Sequence, residues 1–387
     1  MIDNVKNWTD RNIKGDPVIW MVVLALSIIS ILVVYSATGT LAFKKMANPE
    51  SYLFKHSMLV LLGLGAMYVA HKLDYRYYSK LSRLALWLSV PLLIYTFVDG
   101  IRLNEAPRWL HLPLINQSFQ PSDFASLALI MNLASMLSKK QQDISNIKET
   151  LIPILIWVGV ICGLIALANF SSAILLFITC MLILFIGRVP VKYLAMLAFV
   201  GILAGSVAFV VGDRGTTVIN RIDSFISGEN LPFQAEQGRI ALANGGVFGK
   251  GPGNSTQRNI LPHPYSDFVY AIIVEEYGVV GGVMVIILYL ILLYRGIKSV
   301  ADSEMAFGGL LSAGLTFALV LQAFVNMGVV VGLGPVTGIP LPLISMGGTS
   351  LLFTGVSLGI ILSVSRGETD ETWDMKKNIH KNMPKAA

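Results

Sequence analysis

No Asp, Glu, Lys or Arg occurs between Glu304 and Arg366, and none between Glu149 and Arg188. A water-soluble fold does not carry such runs, because its surface needs charge. A bilayer core about 30 Å thick takes roughly 20 apolar residues per helix. Each run is long enough for two spans, so the chain reads as an all-α, polytopic membrane protein. Composition agrees, with 54% hydrophobic and 13% charged residues. The formal charge of +6 does not point to nucleic acid, because Lys and Arg sit between the apolar runs. Cys162 and Cys180 lie inside apolar runs and read as small buried residues rather than a disulfide or metal pair.

Hydropathy predicts ten spans, at about 17–37, 57–72, 82–98, 119–138, 150–168, 171–187, 191–211, 267–294, 305–331 and 344–365. Asn169, Ser171 and Ser172 mark the hairpin between the fifth and sixth. No small-residue cleavage site follows the first apolar run, which reads as a span rather than a leader. With the N-terminus in the cytoplasm, most Lys and Arg fall on the inner side. Both termini are then cytoplasmic, and the long loop 212–266 lies outside. Residues 1–367 form one membrane domain, and the charged stretch 368–387 reads as a disordered cytoplasmic tail.

A loop of that length is functional or disordered unless it has structure of its own. A short amphipathic helix is expected from about Phe233 to Ala243, at the membrane surface or over a cavity. Gly249-Lys250-Gly251-Pro252-Gly253 does not have nucleotide-loop spacing. It reads as a turn, or as backbone amides and Lys250 facing an anion.

Asp267 ends the loop where the eighth span begins. An Asp there caps a helix, or acts as a general base whose carboxyl is tuned by burial. Glu275 and Glu276 follow on the same helix, about 12–13.5 Å deeper at 1.5 Å per residue. Carboxylates at that depth face protein or a wet cavity, as structural pairs, substrate contacts or gating groups. The charge-free segment from Pro335 to Ser350 is rich in Gly and Pro. Broken backbone at membrane depth survives only under cover or along a cavity. It is expected to wall the site, with Ser345 turned toward it.

Five motifs in order resemble one family: Pro107-Arg108-Trp109; Phe119-Gln120-Pro121-Ser122-Asp123; Gly245-Gly246-Val247-Phe248-Gly249-Lys250-Gly251; Ser266-Asp267-Phe268 with Glu275-Glu276-Tyr277-Gly278; and Gln322 and Asn326 followed by Pro335 to Ser350. This is the SEDS family of shape, elongation, division and sporulation proteins, and the resemblance covers about residues 15 to 367. Gly253-Asn254-Ser255-Thr256-Gln257-Arg258 is more similar to its division branch. Three positions depart from the pattern. Tyr265-Ser266-Asp267 stands where His-Thr-Asp is usual, Asp123 and Ser126 where Glu-x-x-Lys is common, and Asn169 where an acid is usual.

The resemblance implies a peptidoglycan glycosyltransferase of the bacterial inner membrane that uses lipid II. It also implies a class B penicillin-binding protein and other division proteins as partners. A donor sugar on a diphosphate already has a stabilised leaving group, so the site needs a base and cations rather than an acid. Asp267 is the expected base. Arg108, Lys250 and Arg239, with Lys44 or Lys45, are the expected diphosphate contacts. Gln120 and Ser122 are expected to bind sugar or amide groups, or to cap their helix. Asp123, Asn169, Glu275 and Glu276 are expected in structural or gating roles. No dedicated metal site is expected, and a divalent cation would be carried by the substrate.

Overall fold

A computed structural model describes residues 14–44, 49–103, 106–112, 117–141, 147–211, 215–229, 231–303 and 305–382. Its helices are α1 (Pro17–Lys44), α2 (Pro49–Lys72), α3 (Tyr75–Asp99), α4 (Pro121–Lys139), α5 (Ile152–Ala168) and α6 (Phe170–Ile186). Then come α7 (Val191–Val211), α8 (Gly215–Ser227), α9 (Phe233–Gly245), α10 (Val269–Asp302), α11 (Ala306–Val330) and α12 (Gly348–Asn382). A helix falls on every expected span. Among the described residues, seven helices are long and apolar enough to cross a membrane, and α6 and Val191–Leu203 of α7 are apolar but shorter.

Local chemistry sets the helix ends. Asp74 caps α3 by accepting from the Arg76 amide at 2.9 Å. Pro121 opens α4, where its missing N–H costs nothing. Asn169 starts α6 by accepting from the Ser172 amide at 3.4 Å. The bundle closes around α4, α11 and α12, the most deeply buried spans. Small residues let backbones touch: a Cβ on Gly355 would stand 2.1 Å from the Gly63 carbonyl oxygen. Cys162 and Cys180 are both buried and free.

Three features depart from the sequence reading. The fold is not purely helical, because the outer connection before α4 forms a small antiparallel sheet. Its strands are β1 (Ile101–Leu103), β2 (Ala106–Leu112) and β3 (Gln117–Phe119), in the order β1-β2-β3. Pairing satisfies backbone groups that a surface connection would leave open. The loop after α7 carries α8 as well as the expected helix at α9. In α8, Ile219, Ile222 and Ile226 share one exposed face. Last, α12 continues to Asn382, into the stretch read as a disordered tail.

Candidate active site

The segment between α11 and α12 has no regular structure until Gly348, yet side chains hold its backbone at several points. Gln322 Nε2 donates to the Pro340 carbonyl at 2.9 Å. Asn326 Nδ2 bridges the carbonyls of Ile339 at 2.8 Å and Asp267 at 2.7 Å. The Tyr289 hydroxyl reaches Pro342, and Ser30 Oγ donates to Ile344 at 2.9 Å. Side chains of α1, α10 and α11 thus replace the hydrogen bonds that a helix would have made internally.

This segment walls a cavity of about 530 Å³. The other walls are α4 (Ser122, Asp123, Ser126), α6 (Ser172, Thr179), α11 (Gln322) and α12 (Ser350, Thr354, Ser357). Arg108, Trp109 and Lys55 also line it, with Gln120 and Asn169. Hydroxyls, amides and one carboxylate therefore face a space inside a membrane domain. Gln120 does not cap α4 with its side chain. Its Nε2 donates to Ser122 Oγ at 2.8 Å. Asp123 Oδ2 is buried and has no partner among the described residues. Arg108 Nε donates to the Ala168 carbonyl at 3.0 Å, at the end of α5.

Asp267 stands just behind this wall. Its neighbour Ser266 lines the cavity, and a Cβ on Gly338 would lie 3.8 Å from Asp267 Oδ2. Gly338 has φ +68°, a conformation glycine takes without strain. Asp267 does not cap α10, whose N-cap is Phe268. Burial pushes its carboxyl above the usual carboxylate range, while its own backbone amide, His263 and Arg221 pull the other way. Arg221 projects from α8, and its Nη1 donates to the Val336 carbonyl at 3.0 Å. Arg239 on α9 lies against Gly332, 3.4 Å from where a Cβ would stand.

Other expected site residues are placed elsewhere. Lys250 points at Glu275, Nζ to Oε1 2.8 Å, and does not line the cavity. The amides expected to face an anion are also taken: Lys250 N donates to the Glu275 carbonyl at 3.0 Å and Gly251 N to Glu276 at 2.9 Å. Ser345 is buried rather than turned to the cavity. It accepts from the Leu341 amide at 2.8 Å and donates to the Ser266 carbonyl at 2.6 Å. Glu275 also accepts from Ser255 at 2.5 Å and from Thr256 at 2.7 Å. Glu276 accepts from Ser36 of α1, whose carbonyl takes Arg258 Nη1 at 3.1 Å. The loop thus covers both carboxylates. Lys45 lies outside the described residues.

Sequence reasoning singled out neither Arg221 nor Lys55. The isoleucine spacing around Arg221 was a usable signal for the helix that carries it.

The fold and motifs have close counterparts. The cell cycle protein family model that joins FtsW, RodA and SpoVE matches residues 16–370. A Geobacter sp. (strain M18) protein named probable peptidoglycan glycosyltransferase FtsW is 33% identical, over 92% of this chain and 98% of its own. Stage V sporulation protein E of Bacillus subtilis (strain 168) is 31% identical, over 92% and 99%. The crystal structure of Thermus thermophilus rod shape determining protein RodA superposes with a TM-score of 0.68 at 26% identity, over 92% and 97%. A chain from a solved peptidoglycan synthase complex, described as coordinating polymerization and crosslinking, superposes at 0.74 with 23% identity, over 92% and 98%. With these ordered motifs and this bundle, the chain belongs to the FtsW/RodA/SpoVE family of membrane proteins.

Proposed function

We propose that the protein is a peptidoglycan glycosyltransferase that polymerises lipid II during cell division. One observation carries the chemistry: a half-buried carboxylate, Asp267, stands between a polar cavity and arginine-bearing loop helices. Asp267 takes the proton from the acceptor sugar's 4-hydroxyl. That oxygen bonds to the donor's anomeric carbon as the bond from that carbon to the diphosphate oxygen breaks. Undecaprenyl diphosphate leaves as an anion, and the anomeric centre inverts. Arg108 and Lys55 at the cavity supply positive charge, and Gln120, Ser122 and Asn169 offer hydrogen bonds to sugars. A divalent cation carried by the diphosphate would neutralise charge there, held by the substrate's own oxygens.

The relatives support the division assignment, because the Geobacter protein carries the FtsW name. The seven helices long and apolar enough to cross a membrane, with the shorter apolar α6 and α7, support a multi-pass membrane protein, and the Lys/Arg distribution favours both termini in the cytoplasm with α8 and α9 outside. The synthase complex supports a class B penicillin-binding protein as partner. The septal inner membrane is then the site of work.

The test is polymer formation by purified protein given lipid II, with and without that transpeptidase. Asp267→Asn is expected to lose roughly 10²–10⁴-fold of the rate. Equal polymer from both proteins removes Asp267 from catalysis. Lipid translocation without polymer assigns a flippase instead.

A further inference from the structure

The leaving diphosphate needs cations close to Asp267, and Lys250 is committed to Glu275. Arg221 is differently placed. It is half-buried, and its helix α8 presents Ile219, Ile222 and Ile226 on the outer face. At 100° per residue, Arg221 falls on the opposite side of that helix, toward the protein. Among the described residues, Nη1 alone is engaged, by the Val336 carbonyl at 3.0 Å. The other guanidinium donors bond nothing among the described residues, so a bidentate edge remains open for an anion. Val336 lies two residues before Gly338, where a Cβ would stand 3.8 Å from Asp267 Oδ2. The backbone bond therefore fixes the guanidinium to the same short segment that flanks the base.

We propose that Arg221 binds the departing diphosphate beside Asp267, held in position by the Val336 carbonyl. This rests on the glycosyl-transfer reading and adds a residue to it. Arg221 forms no covalent bond and gives up no proton. It offers two N–H donors to the oxygen that gains charge as the sugar–phosphate bond breaks.

Arg221 also acts on the base. A guanidinium favours the carboxylate form of Asp267 and so lowers its pKa. His263 acts in the same direction, and burial acts against both. Removing Arg221 must therefore raise the pKa of Asp267. The acidic limb of the kcat/KM profile, which reports the free enzyme, moves to higher pH.

The experiment has two arms on the full-length protein. In the first, pH–rate profiles for lipid II polymerisation are measured for wild type, Arg221→Ala and Arg221→Lys. Expected are a roughly tenfold to hundredfold lower kcat/KM for Arg221→Ala with the limb shifted up, and a limb near wild type for Arg221→Lys. In the second, affinity for undecaprenyl diphosphate and for inorganic pyrophosphate is measured in an Asp267→Asn background, where turnover is slowed roughly 10²–10⁴-fold. Arg221→Ala is expected to weaken undecaprenyl diphosphate at least about tenfold, and Arg221→Lys less. Unchanged affinity in Arg221→Ala overturns the proposal. So does lower activity with an unmoved limb, which is what loss of the Val336 bond alone would give. A wild type that makes no polymer refutes the glycosyl-transfer reading, while the binding arm still reads Arg221.

Discussion

Lys250 shows how a charge can be visible in a sequence while its partner is not. It sits in a glycine-rich loop of a family that handles anions, so a diphosphate role was the natural reading. The structure spends it on Glu275, whose side chain is fully buried while that of Lys250 is 30% exposed. Hydrogen bonds from Ser255 and Thr256 share the load. Removing the cation leaves a buried carboxylate with neutral donors only. Lys250→Met is expected to cost about 1–3 kcal/mol in thermal unfolding, with unchanged affinity for undecaprenyl diphosphate. Lost affinity at unchanged stability would restore Lys250 to the diphosphate site. Asp267 stood out in the sequence because an acid at a loop–helix junction has few roles, and the structure removes one of them, the helix cap. Ser345 was misread because its two hydrogen-bond partners, Leu341 and Ser266, lie on a turn and on a segment 79 residues away.

The glycines of the loop show the same limit for whole elements. Helix α10 breaks at Gly278, with φ +70° and ψ −171°. In an unbroken helix Val279 N and Val280 N would donate to the carbonyls of Glu275 and Glu276. Instead they donate to Gly246 at 3.0 Å and Val247 at 3.3 Å, while Lys250 N and Gly251 N serve the two freed carbonyls. A turn of the loop is spliced into the break, and these four groups are paired. The contact is backbone on backbone: a Cβ on Gly278 would stand 2.1 Å from the Val247 carbonyl oxygen. Gly278→Ala adds that clash to a left-handed strain, so a loss of about 3 kcal/mol or more is expected. Hydrogen exchange at the Lys250 and Gly251 amides should accelerate with it. Gly159→Ala, which meets nothing within 4 Å on α5, is the control and should be neutral or slightly stabilising. Equal exchange in both variants would show that the splice does not depend on Gly278. Apolar runs disclosed the helices because burial in lipid is written residue by residue. Pairing between segments some 30 residues apart leaves only glycines behind, and those read equally well as turns.

At the scale of the molecule, the spans were legible and the space between them was not. Charge-free runs demand helices in a bilayer, but no period in a sequence says which helices stand apart. Here α4, α6, α11 and α12 leave a cavity of about 530 Å³, and their serines and threonines face it. Ser126 is the informative wall residue. Its Oγ only returns to the Ser122 carbonyl one turn back, at 2.7 Å. That bond can be lost cheaply, since the carbonyl keeps its place in the helix. Ser126→Phe would send a ring into the cavity without burying a new polar group. Stability is expected to change by less than about 1 kcal/mol, while KM for lipid II rises roughly tenfold or more, equivalent to about 1.4 kcal/mol of lost binding. A raised KM at unchanged melting temperature assigns the cavity to the sugars. Unchanged polymerisation with a filled cavity would make it a solvent pocket, and would leave the α8 side of Asp267 to hold both substrates.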